Sequence, residues 1–366
     1  MTGPMGVGVV GAGVISDKYL TSLTSFPDLR VLAVADLDTA RAAAQAAKYG
    51  VPGAGAVAEL LADPAIELVV NLTVPTAHVD VGLAALESGK HVWAEKPLAM
   101  DRQTGRKLLD RARERGLRVA SAPDTVLGAA LQTARRAIDA GVIGAPMSAL
   151  ALLQTPGPED WHPSPEFLFQ PGAGPLLDMG PYYLTALVTM LGPVVRVSGA
   201  TSRMRAERVI GSGPRRGEVI PVQVDTHVTG VLEHQGGVLS TILMSFDAVG
   251  SRASRIEVHG DRASLAVPDP NLFDGDVALR RLDGSGWEIL PVSAGYRSAG
   301  RGYGIADLAA ARPGRPPRAS ARLAYHVLEV MERLLESARA GRRLTVQSAV
   351  ERPEPVPLRE LPKRAG

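Results

Sequence analysis

The sequence contains no cysteine, and this absence excludes several kinds of chemistry. Without thiols, a chain forms no disulfide, offers no thiolate nucleophile and holds no cysteine-bound metal. The seven histidines are scattered, with no H-E-x-x-H pattern or other pair at ligand spacing, so we expect no metal site. No apolar run reaches the length of a membrane-spanning helix, so we expect no membrane partner.

An excess of charge of either sign is also lacking. Lysine and arginine number 40 against 38 acidic residues, which leaves a net charge of +2. Because this balance does not describe a basic patch, no nucleic-acid partner is expected. The N-terminus has no basic segment ahead of an apolar one and enters the first predicted strand directly. It therefore does not resemble a signal peptide, and we expect a cytoplasmic location.

The length and the order of patterns predict two domains of different construction. A chain of 366 residues exceeds one ordinary core. Strand-like and helix-like stretches alternate up to about residue 123, which is typical of an α/β doubly wound parallel sheet, the Rossmann arrangement. The predicted strands are 7–10, 31–35, 68–72, 91–94 and 118–121. The predicted helices are 16–23, 39–49, 56–62, 76–88 and 101–115.

The second half changes character and favours an α+β domain built on one sheet. Its predicted helices are 127–140, 176–191 and 319–340. Its strand-like runs, suited to antiparallel pairing and separated by glycine-containing turns, are 194–201, 219–232, 238–247, 255–259, 264–267 and 277–282. We therefore predict a dinucleotide-binding domain over residues 1–124 and a substrate-binding and oligomerisation domain over residues 125–366.

A glycine-rich turn follows the first predicted strand and opens a helix. Such a turn lets backbone N–H groups approach a diphosphate at a helix N-terminus. The second apolar run ends in Asp36, about 20 residues on, where this fold places the carboxylate that binds the adenosine ribose. Ser16 occupies the position of the third glycine and is small enough for the same packing. The expected cofactor contacts here are Gly11, Ala12, Gly13, Val14, Ile15 and Asp36.

The carboxylate also bears on which dinucleotide is bound. Asp36 would accept hydrogen bonds from the ribose hydroxyls and would repel a 2′-phosphate. The first arginine after it is Arg41. The sequence therefore favours NAD over NADP.

Polar residues that suit catalysis occur at a strand end and on a later helix. Lys96 follows the fourth predicted strand, in a chain with few lysines, and an ammonium there could hold a substrate hydroxyl and lower its pKa. Asp178 and Tyr182 are i,i+4 neighbours on a predicted helix, a sensible carboxylate and phenol pair. The plainer alternatives are a surface lysine, a helix-capping aspartate and a core tyrosine.

Taken together, these residues resemble the Gfo/Idh/MocA oxidoreductases, the group of glucose–fructose oxidoreductase, inositol dehydrogenase and rhizopine catabolism. The resemblance spans nearly the whole chain, and the Glu-Lys-Pro turn is its most specific element. It rests on the glycine turn, Asp36, the N-L-T-V-P stretch at 71–75 with His78 after it, Glu95-Lys96-Pro97, and G-x-G-x-x-x-D-x-G-x-Y at 172–182.

The resemblance implies a C-terminal domain with a large, open, mostly antiparallel sheet whose exposed face commonly makes homodimers or homotetramers. It implies that Lys96 lies close to the nicotinamide and that Asp178 binds substrate. Many members carry histidine where this sequence has Tyr182, which argues against a histidine proton shuttle and leaves Lys96 and Tyr182 both eligible. The residues expected to line the nicotinamide-ribose side of the cofactor site are Thr73, Pro75, His78, Glu95 and Lys96.

Three further residues are expected to contact substrate. Asp124 follows the fifth predicted strand, and Trp161 with His162 lies in a proline-rich loop, where an aromatic ring and an imidazole suit a sugar. The activity implied is hydride transfer between NAD and a hydroxyl or keto carbon of a sugar, cyclitol or glycoside. Two alternatives stay open: reduction of a C=N or C=C bond, and a non-catalytic dinucleotide sensor.

Overall fold

The computed structural model describes residues 3–284, 286–311 and 316–364. The chain divides into two compact units. The first comprises Met1–Ala129, Ala294–Tyr325 and Val356–Gly366, and the second comprises Ala130–Ser293 and His326–Pro355. The sequence suggested a single boundary, between residues 124 and 125. The first unit includes, in addition, two segments from later in the chain. Patterning along the chain does not reveal such returns, because they depend on distant contacts.

The first unit contains a six-stranded sheet in which every neighbouring pair is parallel. Its strands are β1 Met5–Val10, β2 Leu29–Ala35, β3 Gly53–Gly55, β4 Leu68–Asn71, β5 His91–Ala94 and β6 Val119–Ser121. Its helices include α1 Val14–Leu23, α2 Thr39–Tyr49, α3 Val57–Ala62, α4 His78–Glu87 and α5 Arg102–Arg115. The strand order is β3-β2-β1-β4-β5-β6. It reverses between β1 and β4, and in such sheets ligands bind beyond the carboxyl ends of the strands at that reversal.

The predicted parallel sheet is confirmed, with one strand added. β1 and β4 are buried along their whole length, as expected for strands covered on both faces. The additional strand β3 has the sequence Gly-Ala-Gly and pairs only with β2 at the sheet edge. Glycine and alanine have low strand propensity, so its formation depends on its neighbour rather than on its own sequence.

The remaining strands are β7 Pro146–Gln154, β8 Val194–Ser202, β9 Glu207–Val209, β10 Val219–Pro221, β11 His227–His234, β12 Leu239–Ser245, β13 Ile256–Gly260, β14 Ala263–Val267, β15 Ala278–Arg281, β16 Glu288–Ile289 and β17 Leu344–Thr345. The remaining helices are α6 Ala129–Asp139, α7 Pro175–Leu191, α8 Tyr303–Ala310 and α9 Ala321–Ala340. β9 and β10 form a two-stranded sheet. The other strands form one sheet in the order β16-β15-β14-β13-β7-β12-β11-β8-β17.

The large sheet of the second unit is mostly antiparallel, as predicted. Only the β7–β12 pair among its neighbours is parallel. The central strand β7 was missed in the sequence, because its alanines and leucines favour helices. Its burial nevertheless alternates, with Ala149, Ala151 and Leu153 buried and their neighbours partly exposed, the two-residue period of a strand.

Other elements also differ from the sequence prediction, and the short strands β9, β16 and β17 were not expected. The run 219–232, expected as one strand, is divided into β10 and β11, which belong to different sheets. Helix α8 was not predicted. Across the three described ranges, no helix combines the length and apolar content that crossing a membrane requires.

Candidate active site

The turn between β1 and α1 has the backbone shape that a bound diphosphate needs. Gly11 has φ +104°, and a Cβ there would lie 2.7 Å from the carbonyl carbon of Leu72, so only glycine fits. Gly13 is the N-cap of α1, contributes no side-chain oxygen to the first turn, and has open space where a Cβ would stand. The next side chain, Val14, is 94% exposed. The uncapped helix N-terminus therefore suits an anion.

Asp36 stands at the carboxyl end of β2 and is tied to this turn. Its Oδ2 accepts a hydrogen bond from the N–H of Ala12 at 2.7 Å, and its Oδ1 accepts from the N–H of Asp38 at 3.0 Å. The guanidinium of Arg41 donates to Oδ1 at 2.6 Å. Burial raises the pKa of Asp36, but the bonds from Arg41 and the two N–H groups outweigh it, so the pKa lies below its ordinary value. The carboxylate is thus ionised beside the glycine turn.

These features fit the adenosine diphosphate half of a dinucleotide. The turn offers backbone N–H groups and the positive end of a helix dipole, and the carboxylate stands where this fold binds ribose hydroxyls. The residues that would hold that half are the predicted ones, from Gly11 to Ile15 together with Asp36.

The loop after β4 is folded onto itself by buried polar groups. Asn71 Oδ1 accepts from Oγ1 of Thr73 at 2.6 Å, while Asn71 Nδ2 donates to the carbonyl of His78 at 2.9 Å. Pro75 begins a short 3₁₀ helix that leads into α4. The ring of His78 has no exposed surface; its Nδ1 lies 2.7 Å from the carbonyl oxygen of Pro97 and its Nε2 lies 3.0 Å from that of Thr73.

The turn after β5 is held by the carboxylate of Glu95. Its Oε1 accepts from the hydroxyl of Tyr19 on α1 at 2.7 Å, and its Oε2 accepts from the backbone N–H of Lys96 at 2.8 Å. The indole N–H of Trp93 donates to the same hydroxyl at 3.3 Å. Burial, together with the nearby negative charge of Glu95, raises the pKa of Tyr19 well above its usual value, so the phenol stays a donor. The side chain of Lys96 is half-buried.

Asp124 lies inside the first unit. Its side chain has no exposed surface, and its Oδ2 accepts from the N–H groups of Gly302 at 2.9 Å and Gly304 at 3.1 Å. Nη1 of Arg301 stands 3.6 Å from Oδ1. Burial raises the pKa of Asp124 despite the arginine and the two bonds. Sequence reasoning missed these partners, because they lie in the segment that returns to the first unit.

In the second unit, Asp178 and Tyr182 lie on the N-terminal half of α7. The helix begins at Pro175 after Gly174, whose φ is +92°, and the N–H of Asp178 donates to the Gly174 carbonyl at 3.0 Å. One helical turn separates the two side chains, so they share a face. Asp178 is half-buried and Tyr182 is 6% exposed. A carboxylate in a first turn is stabilised by the helix dipole.

The loop before α7 presents a cluster of aromatic rings. Trp161 is 68% exposed, and its ring centroid lies 5.5 Å from that of the half-buried His162. His162 in turn lies 5.4 Å from Phe167, a half-exposed ring that sequence reasoning did not include. Nδ1 of His162 accepts from the N–H of Ser164 at 3.0 Å.

A buried arginine, Arg208, anchors this loop, and no sequence motif predicted this role. The guanidinium of Arg208 donates to the carbonyls of Pro156 at 2.9 Å and Phe246 at 3.0 Å. It also pairs with the carboxylates of Glu159 and Asp247. Because Pro156 and Glu159 belong to the loop that carries Trp161, Arg208 fixes the path of that loop.

The structure joins the candidate residues into local groups. In the first unit, Asp36 contacts the glycine turn, and His78 contacts the turn of Lys96. In the second, Asp178 and Tyr182 lie one turn apart on α7, and the ring of His162 contacts those of Trp161 and Phe167. Within residues 3–284, 286–311 and 316–364, no cluster of three or more histidine or acidic side chains is arranged to hold a metal ion.

Comparison with known proteins identifies the family of both parts. Residues 5–122 match the model described as an oxidoreductase family with an NAD-binding Rossmann fold. Residues 131–266 match the model of the GFO/IDH/MocA C-terminal domain.

Similar proteins are known from curated sequences and from solved structures. The chain is 35% identical over 213 residues to dTDP-3,4-didehydro-2,6-dideoxy-alpha-D-glucose 3-reductase of Streptomyces antibioticus, covering 56% of this chain and 63% of that protein, just under two thirds. It is 32% identical over 249 residues to D-glucoside 3-dehydrogenase of Escherichia coli, covering 64% and 69%. An NAD binding oxidoreductase from Klebsiella pneumoniae has the same fold, with a TM-score of 0.80, 22% identity and coverage of 94% and 99%. The chain therefore belongs to the Gfo/Idh/MocA family of oxidoreductases, and its first unit is an NAD-binding Rossmann domain.

Proposed function

We propose that the protein transfers a hydride between NAD and a secondary hydroxyl or keto carbon on the ring of a sugar, cyclitol or glycoside. The observation that carries the proposal is Lys96 at the carboxyl end of β5, in an NAD-binding sheet and on a turn braced by buried groups. The two relatives support the substrate class, since both are named for reduction or oxidation at position 3 of a hexose-type ring.

Each candidate residue has a proposed role. Lys96 holds the reacting hydroxyl and lowers its pKa, and in the oxidative direction its neutral amine receives the hydroxyl proton and becomes the ammonium. Asp178 accepts hydrogen bonds from neighbouring hydroxyls, and Tyr182 either relays the same proton or donates to the reacting oxygen. The nicotinamide, when bound, supplies the hydride acceptor. Trp161 and His162 contact the outer part of the sugar.

Two predicted contacts have a different role in this proposal. Asp124 and His78 have no exposed side-chain surface, and their polar atoms face groups of their own unit. We therefore assign them to holding the segments around the site rather than to touching substrate or cofactor.

The first experiment measures NAD reduction by absorbance with a panel of glycosides, aldoses and cyclitols. Lys96→Met should lower kcat/KM by roughly a thousandfold, within the range of general acid–base catalysis, and should leave the NAD Kd unchanged. Lys107→Met, an exposed lysine on α5, is the matched control and should retain wild-type rates. Wild-type turnover in Lys96→Met would disprove the assigned chemistry.

Asp178→Ala separates the proposal from its alternatives. A sugar oxidoreductase should lose most of its kcat/KM for polyols, because hydroxyls bound by a carboxylate lose their acceptor. A reductase of C=N or C=C bonds should keep nearly full turnover, and a dinucleotide sensor should bind NAD without turning over any substrate in the panel.

We further propose a homodimer or homotetramer in the cytoplasm. Support comes from one face of the β7–β12–β11 region, where Val231 and Leu239 are exposed and Leu150 is half-exposed on the same side of the sheet. Sedimentation would measure the assembly, and Val231→Lys should shift it toward the monomer. Cell fractionation would test the location.

A further inference from the structure

We propose that His78 is a positioning residue for Lys96, acting through a hydrogen bond from its Nδ1–H to the carbonyl of Pro97. This inference rests on the proposed function, because it assumes that the ammonium of Lys96 takes part in the reaction.

The ring of His78 is placed between two loops. It stands at the start of α4, has no exposed surface, and has a backbone carbonyl oxygen near each nitrogen. One carbonyl belongs to Pro97, the residue next to Lys96, and the other belongs to Thr73. The imidazole thus connects the loop after β4 with the turn after β5, at the carboxyl ends of two neighbouring strands.

The two contacts are not equivalent. A carbonyl oxygen only accepts, and a neutral imidazole donates from one nitrogen only. Burial lowers the pKa of His78, so the neutral ring is favoured and one of the two contacts carries the proton. The distance to Pro97 is 2.7 Å against 3.0 Å to Thr73, so we assign the proton to Nδ1.

The backbone of His78 is itself fixed, which makes the ring a rigid support. Its carbonyl accepts from the buried side chain of Asn71 at the end of β4. Glu95 holds the N–H of Lys96 from the other side. The backbone on both sides of the lysine side chain is therefore bound to buried groups. One is Glu95, which is bonded to Tyr19 on α1, and the other is His78 at the start of α4.

Two substitutions separate the contacts. The amide nitrogen of His78→Asn can replace Nδ1 and donate to Pro97, whereas that of His78→Gln can replace Nε2 and donate to Thr73 only. We expect the asparagine variant to have a kcat at least tenfold above that of the glutamine variant, with similar melting temperatures and NAD Kd values for both. The reverse order of kcat values, or equal values, would overturn the assignment.

A buried histidine of the second unit provides the control for general destabilisation. His234 also has both ring nitrogens engaged, at 2.7 Å to the Gly192 carbonyl and 2.8 Å to the Ser240 hydroxyl. His234→Asn and His234→Gln should lower the melting temperature without separating the two kcat values. A tenfold separation in this pair as well would attribute the His78 effect to folding.

A double-mutant cycle distinguishes failure of this inference from failure of the proposed function. If Lys96→Met retains wild-type kcat, the proposed function fails and His78 has nothing to position. If Lys96→Met is inactive while His78→Gln matches wild type, only the positioning role fails. If the proposed function and the positioning role both hold, His78→Gln should lower kcat less than twofold further in the Lys96→Met background. The reason is that the residual reaction no longer uses the ammonium.

Discussion

Replacing Asp36 by asparagine should move cofactor preference from NAD toward NADP. The substitution keeps an oxygen for the N–H of Ala12 but removes the charge that pairs with Arg41 and, in the proposal, accepts from the ribose. A charged acceptor is worth about 1.5 kcal/mol more than a neutral one, which NAD would lose. NADP would escape repulsion of its 2′-phosphate by the Asp36 charge, about 1 kcal/mol. It would also gain an arginine–phosphate pair, which is weak because Arg41 is 54% exposed.

The lost hydrogen-bond strength and the relieved repulsion reach about 2.5 kcal/mol, and with the weak arginine–phosphate pair added we expect roughly a hundredfold change in the ratio of kcat/KM for NADP to that for NAD. The assay is steady-state turnover with each dinucleotide at one fixed sugar concentration. Asp38→Asn is the control, since it removes the same charge from an exposed helix cap two residues away. An unchanged ratio in Asp36→Asn, or an equal shift in Asp38→Asn, would refute the role of Asp36.

Three further predictions concern stability. Tyr19→Phe leaves Oε1 of buried Glu95 without its donor and should cost about 1–3 kcal/mol in denaturant unfolding; an unchanged midpoint would contradict it. The pKa of His326 is lowered to about 4 by burial, so the unfolded chain binds a proton there first as pH falls from 6.5, and stability should fall by about 3 kcal/mol by pH 4. His326→Gln, which can still accept from the N–H of Val194, should lack this part of the acid dependence, measured as unfolding free energies at pH 7 and 4.5. Arg208→Lys should lower the unfolding free energy by about 2–4 kcal/mol, because an ammonium cannot reproduce its fork of bonds, and calorimetry would show no loss if the network were unimportant.

The first sheet was predictable because its signals are local. β1, the glycine turn and the aspartate after β2 lie within about 30 residues of one another, and a dinucleotide fold constrains each by backbone geometry. Gly11 is required by its positive φ and by the nearby Leu72 carbonyl, both consequences of one tight turn. The parallel order follows from short strands joined by helices.

The elements that were missed depend on distant partners. β7 has the composition of a helix and becomes a strand because β12 and β13 lie on either side of it. The groups that bond Asp124 lie 178 and 180 positions further along the chain, and Arg208 binds residues 38 to 52 positions away. No pattern of spacing within a window indicates such contacts, so the roles of these residues became visible only in the fold.

The motifs of this chain contain buried residues that hold the backbone and a half-buried residue that is a candidate for the reaction. Glu95, His78 and Asn71 direct their polar atoms to groups of their own unit, whereas the half-buried Lys96 stands on the turn that they brace. A sequence signature such as Glu-Lys-Pro therefore describes one candidate reacting group together with its frame. Substituting the frame should change kcat by displacing the ammonium while leaving the chemistry intact, so residual turnover should keep the wild-type dependence on pH and on substrate. Substituting Lys96 should change that dependence itself.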